Sequence, residues 1–197
     1  MHKVDESEKG RRVKATMRTK HIIGGLAVIA LAAGTYVMQS HRTGPADIYP
    51  PSWTTGAINA DITQANIGDT ICNPQWSTKS ERPPVSYTNS MKVQQISIMQ
   101  LKDTNLADYE EDHLISLELG GSPTSTHNLW PEPYNASVSD GGAKSKDTVE
   151  NYLHSRICQG LMSLKDAQSQ IVSDWYAVAQ QLKGRLGSVD GLDNDDQ

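Results

Sequence analysis

Phenylalanine is absent from the chain, and all aromatic residues together make up only 6% of it. The apolar content of 37% over 197 residues still suffices for one modest core, so the length is that of a single domain with appendages. Cysteine is nearly absent as well. Cys72 and Cys158 stand 86 positions apart and lack metal spacing such as CxxC, which argues against a zinc site built on cysteine pairs. Basic residues are scarce in the body of the chain. Of 18 Lys and Arg and 23 Asp and Glu, seven and three fall within residues 1–40, leaving 11 against 20, a net charge of −9. Such a body lacks the cationic surface that dominates affinity for a phosphate backbone. Four of its acids lie in the run 190–196, a tail expected to stay clear of the site, and a bound divalent cation would offset part of the rest.

Long apolar runs are missing too, with one exception. Residues 22–38 (IIGGLAVIALAAGTYVM) are uncharged and largely apolar, without an amphipathic period, and the basic residues precede them almost wholly. Seventeen residues is the short end of a membrane span and longer than most signal-peptide cores. The positive-inside rule leaves residues 1–20 in the cytoplasm and sends the rest across. An uncleaved signal-anchor over 21–38 is favoured over a cleaved signal peptide, although 30–32 (ALA) has the small-x-small form of a cleavage site. In a reducing compartment the two cysteines would be buried thiols. Beyond a membrane they are expected to form one disulfide, Cys72–Cys158.

Residues 39–61, rich in Pro, Gly and Thr, are expected to be a linker, with the folded domain over 62–186 and a disordered acidic tail over 187–197. Residues 72–88 carry Pro83-Pro84 and are expected to be extended and irregular, with Lys79 and Arg82 as cations that a phosphate could meet. Met91, Gln95, Ile98 and Met99, widened by Val93 and Ile96, predict a short core helix over 89–101. Val149, Leu153 and Ile157 recur every four residues and Gly160 stands beyond them as a stop, predicting a helix over 143–158. Ser163 as N-cap with Asp166 three later opens a long amphipathic helix over 163–186, whose stripe is Ala167, Ile171, Trp175, Val178 and Leu182.

Chemistry concentrates in 110–134 (EEDHLISLELGGSPTSTHNLWPEPY). Asp112-His113 leads a run with Leu114, Ile115, Leu117 and Leu119, read as a short strand; Gly120-Gly121-Ser122-Pro123 breaks it, and a second strand begins near Asn128-Leu129-Trp130. Alternation places Asp112 and His113 on opposite faces, so the pair belongs at a strand end or a distorted edge. An acid beside an imidazole suits a division of labour in which the carboxylate holds a divalent cation and the imidazole takes a proton from water.

The order Asp-His-Leu-Ile, apolar stretch, Gly-Gly, polar loop and Asn-Leu-Trp resembles the HNH endonucleases of the ββα-metal superfamily, over roughly 110–158. The resemblance implies an α+β fold, an HNH-like hairpin plus helix with extra packing helices, preceded here by the N-terminal transmembrane or signal segment. It implies a metal-dependent endonuclease in which Asp112 ligates the metal, Mg²⁺ by default, and His113 is the general base. Asn128 is carried over as the residue that ties the hairpin and helps orient the histidine. The helix-borne ligand is open among Asp147, Glu150, Asn151 and His154, with Asn135 an outsider. Lys144 and Lys146, near the helix start, and Arg82 are the candidate phosphate-binding cations. The implied partner is nucleic acid, DNA ahead of RNA, with the membrane met through the N-terminal segment and no protein partner inferable. The expected location is outside the cytoplasm, anchored or, if cleaved, secreted. The rival reading is a non-catalytic exported binding module that keeps the hairpin as scaffold. A zinc site from His113, His127 and His154 is disfavoured, because their spacings match no recognised pattern and no cysteine joins them.

Overall fold

The computed structural model describes residues 42–138 and 141–190, with side chains through 185. The basic lead and the apolar run 21–38 therefore lie outside the described residues. None of the described helices is long and apolar enough to cross a membrane.

The described part is α+β. Two antiparallel strands, β1 (Tyr109–His113) and β2 (Leu129–Pro133), make its one sheet. Around them come α1 (Thr78–Glu81), α2 (Val85–Met99), α3 (Ala143–Cys158) and α4 (Leu164–Asp190). In the hairpin Asp112 pairs with Trp130 and Glu110 with Glu132. Flanking bonds from Leu114 N to Asn128 O (2.7 Å) and from Tyr134 N to Asp108 O (2.9 Å) continue the ladder. Alternation then puts Pro131 and Pro133 at non-hydrogen-bonded positions, where a missing N–H costs no ladder bond. The first strand is shorter than the apolar run suggested. It stops at His113, and Leu117–Leu119 form a 3₁₀ turn closed by Gly120 at φ +74°, because the chain must double back over the core there. Asp112-His113 consequently sits at the strand end.

The core joins Ile48, Ile62, Ile71, Ile115 and Leu119 to Val149, Leu153 and Ile157 of α3 and Ala167, Ile171 and Trp175 of α4. Helix α3 spans the expected residues, and its apolar stripe is the buried one. At the head of α4, Ser163 Oγ accepts from Asp166 N at 3.1 Å and donates to Asp166 Oδ2 at 2.7 Å, the expected cap. The helix is nevertheless broken at Asp174 (φ −163°, ψ 79°), whose Oδ1 accepts from Ala177 N and starts the second half afresh. It runs on to Asp190, so the tail expected from 187 begins as helix; 191–197 lie outside the described residues.

Three other expectations are corrected. From Arg42 on, the supposed linker is part of the domain. Ile48 is fully buried, Thr43 N and Tyr49 Oη donate to Asp174, and Gly56 N, Asn59 N and Ser122 N bond along the hairpin loop to His127 O, Gly120 O and Ala57 O. Its Pro and Gly shape a strap whose backbone groups find partners in the hairpin. Within the stretch expected to be wholly irregular, Ser77 caps the single turn of α1. Helix α2 starts at Val85, directly after Pro84, since a helix start needs no N–H from the proline. The buried residues of α2 are Lys92, Gln95 and Ile96, while Val93 and Ile98 are exposed. The helix covers backbone rather than apolar side chains: Lys92 Nζ donates to Leu106 O and Tyr109 O, and Gln95 Nε2 to Leu129 O.

Candidate functional site

The candidate pair Asp112-His113 ends β1, where the chain enters a loop tied together by one asparagine. Asn128 is fully buried; its Oδ1 accepts from Ile115 N (2.9 Å) and its Nδ2 donates to Ile115 O and Ser122 O (both 3.0 Å). Ile115 and Ser122, on the two limbs of the loop, are thus clamped to one side chain. A glycine is required at 121, where a Cβ would lie 1.8 Å from Ile115 O. Asn128, fully buried, acts through the backbone it holds and ties the hairpin loop together.

The clamp presents Pro123 to the histidine. His113 Nε2 lies 3.0 Å from Pro123 O. A carbonyl only accepts, so Nε2 carries the proton and Nδ1 keeps its lone pair. Burial pushes the His113 pKa below the ordinary histidine value, against the opposing pull of Asp112, and favours the neutral ring.

Asp112 and Glu132 lie on the same face of the hairpin, two positions apart across the strands, and face α3. Between them and Glu150 stands the Lys146 ammonium, wholly buried. It donates to Asp112 Oδ2 at 2.5 Å, to His113 O at 2.8 Å and to Glu150 Oε1, and Glu132 Oε2 is 3.9 Å away. Lys146 is therefore not a surface cation at the helix start, as the sequence suggested. It lies one turn before Glu150 on the same helix face and is drawn inward by three carboxylates. Burial alone would lower its pKa, but Asp112, Glu150 and Glu132 outweigh burial and hold it well above the usual lysine range. Burial likewise works to raise Asp112, yet Lys146 and its hydrogen bonds bring it to about 2. Glu150 is pushed by burial up to about 8, and Glu132 is raised well above the usual carboxylate range.

A cleft of about 270 Å³ opens over this cluster, lined by Arg82, Asp112, His113, Glu118, Asp147, Glu150 and Asn151 among others. The helix residues proposed as ligands thus separate. Because Asp112 and Glu150 bond the same nitrogen, their oxygens are no more than about 5 Å apart, twice a metal–oxygen bond. Asp147 and Asn151 line the cleft from its rim, where Asn151 Nδ2 donates to Asp147 O. Arg82 reaches the cleft from the end of α1. Lys144 does not; it lines a separate depression with Tyr134 and Asn135 at the head of α3.

The remaining histidines go elsewhere. His127 Nδ1 bonds Trp53 O, and His154 Nε2 bonds Ile71 O while its Nδ1 lies 3.9 Å from Glu118. Cys72, Cys158 and His154 do converge, with candidate ligand atoms within 4.8 Å, but the two sulfurs are bonded to each other. The Cys72–Cys158 disulfide is present as expected, and it ties the segment before α1 to the end of α3. Glu118 and Glu132 are cleft and cluster residues that sequence reasoning missed. Glu132 shares a face with Trp130 two positions away, but only the strand register, set across the long loop after His113, reveals that it faces Asp112.

A scan of protein-family models and searches of curated proteins and of solved structures found no match to this chain.

Proposed function

We propose that this domain is a metal-dependent nuclease of the HNH type, hydrolysing phosphodiester bonds of nucleic acid, DNA before RNA, outside the cytoplasm. The observation that carries the reading is the His113 ring: Nε2 is committed to Pro123 O, Nδ1 keeps its lone pair, and the adjacent residue belongs to a buried carboxylate cluster. A neutral imidazole with one nitrogen anchored is suited to take a proton from water. The donor set suits a hard divalent cation, Mg²⁺ by default. Asp112 and Glu150 offer oxygens no more than about 5 Å apart, within reach of one hard ion.

When bound, such an ion would be held by Asp112 and Glu150 and would supply Lewis-acid stabilisation of charge developing on the phosphate. The chain's own residues do the rest. His113 accepts the proton of the attacking water at Nδ1, and Pro123 O keeps the ring from turning. Arg82, on the cleft wall, provides a cation for a substrate phosphate in a domain otherwise poor in them. Asn128 holds the loop that positions Pro123. The disulfide supports export, and the apolar run ahead of the domain supports a membrane anchor.

One observation favours a second reading, a non-catalytic binding module: an ammonium, Lys146, already stands among the carboxylates. Plasmid nicking in Mg²⁺ decides between them. The nuclease reading expects cleavage that EDTA abolishes and that His113→Ala removes; no metal-dependent cleavage by the wild type, or undiminished cleavage by the variant, overturns it.

A further inference from the structure

Glu132 is the least explained group in the cluster. It is fully buried, and as an anion neither of its oxygens has a hydrogen-bond partner among the described residues. A buried carboxylate left so is costly and calls for a physical explanation. Lys146 Nζ, a donor, lies 3.9 Å from Glu132 Oε2. All three ammonium protons are in use, on Asp112, Glu150 and His113 O.

Two of the ammonium's acceptors are the oxygens assigned above to a divalent cation. Oxygen ligands stand at about 2.0–2.6 Å from such an ion, so the ammonium and the ion would claim the same space and repel one another. Leaving the pocket altogether would give up every carboxylate neighbour the ammonium now has. A shift of about 1 Å toward Glu132 would instead bring Nζ to ordinary charge-assisted bonding distance. The flexible lysine stem allows that displacement without moving α3.

We infer that Lys146 is an internal counter-ion that changes partners: its ammonium holds Asp112 and Glu150 together when no metal is bound, and moves onto Glu132 when a divalent cation takes their oxygens. The inference rests on the divalent-cation reading of Asp112 and Glu150. Glu132 is then a positioning residue, the acceptor that lets the cation displace the lysine, and not itself a ligand.

Mn²⁺ is the probe, its binding followed by the loss of the free-ion electron paramagnetic resonance signal. Glu132→Gln removes the acceptor charge, so its Mn²⁺ dissociation constant is expected to rise at least tenfold over wild type. In Lys146→Met the competing ammonium is gone, and adding Glu132→Gln to it is expected to change the constant less than twofold. An unchanged constant in Glu132→Gln overturns the inference. An equal loss in the Lys146→Met background also overturns it and makes Glu132 a ligand. Absence of Mn²⁺ binding by a folded wild type overturns the underlying cation reading as well, which keeps the two failures apart. Should Lys146→Met not fold, the wild type serves: in lysine-selective ¹⁵N spectra, Mg²⁺ is expected to exchange the scalar coupling of Lys146 Nζ with the Asp112 carboxylate for one with Glu132. Retention of the Asp112 coupling at saturating Mg²⁺ overturns the exchange.

Discussion

His113 Nε2 donates a hydrogen bond of 3.0 Å to the carbonyl oxygen of Pro123, ten residues further along the same hairpin. A base whose tautomer is fixed by the backbone needs no separate carboxylate to orient it. Burial then favours the unprotonated form. His113→Ala is expected to reduce Mg²⁺-dependent nicking by about 10²–10⁴-fold, the usual span for a general base. A base works only when deprotonated, so activity falls as pH drops through its pKa. With that pKa lowered, the acid limb of kcat/KM is expected below the ordinary histidine value of 6.5; an acid limb above it would refute the assignment.

Asn128 satisfies three backbone groups inside the hairpin loop. Asn128→Ala leaves them buried and unpaired, at a cost of about 2–4 kcal/mol. Guanidinium unfolding should show the loss, and nicking should fall further than stability alone explains, because the limb bearing Ser122 and Pro123 is released. Gly121→Ala should be worse. Its clash is with the carbonyl oxygen of Ile115, backbone against backbone, and no rotamer change relieves it.

Glu111, on the hairpin face opposite Asp112, is buried, has no hydrogen-bond partner for either oxygen among the described residues, and is pushed by burial up to about 8 despite the nearby Lys92. Unfolded, the same carboxyl titrates near 4.5. Its stabilising contribution is complete below that value and is lost as pH rises toward 8, since the unfolded chain ionises first. Glu111→Gln does not titrate. The Tm advantage of the variant over wild type is therefore expected to grow between pH 5 and pH 8, and a constant difference would contradict the burial argument.

The Cys72–Cys158 disulfide closes a loop of 86 residue steps. Reduction should cost about 4 kcal/mol, chiefly by freeing the unfolded chain. Guanidinium midpoints with and without reductant measure this, and the double Cys→Ser variant should be as unstable as the reduced protein and indifferent to reductant.

Much of the site is legible in the sequence because short-range order carries it. The Asp112-His113 pair, the Gly-Gly turn and the asparagine opening the second strand lie within one hairpin, where neighbours in sequence are neighbours in space. The four-residue recurrence of Val149, Leu153 and Ile157 is sufficient to orient α3, since the apolar stripe must face the core. Lys146 is the exception on that helix. Its charge assigns a lysine three residues before Val149 to solvent, whereas three carboxylates make burial tolerable. In α2 the pattern misleads for the same reason, with Lys92 and Gln95 buried to serve carbonyl groups of the hairpin.

By itself, then, the sequence determined the α+β class, the helices α3 and α4, the identity of the proposed base and first acidic residue, and the cysteines available to pair. The class is what the hairpin's resemblance implies, and the others follow from periodicity, turn chemistry or residue type within a window of a few tens of residues. Only the tertiary structure decided that 42–61 belongs to the domain, that Asp174 breaks α4, that Glu150 shares a nitrogen with Asp112, and that Glu132 and Lys146 complete the cluster. Those outcomes depend on contacts between residues far apart in the chain, 34 positions for Lys146 with Asp112 and 131 for Thr43 with Asp174. A polar side chain is buried or exposed according to what meets it there, and local pattern holds no record of that partner.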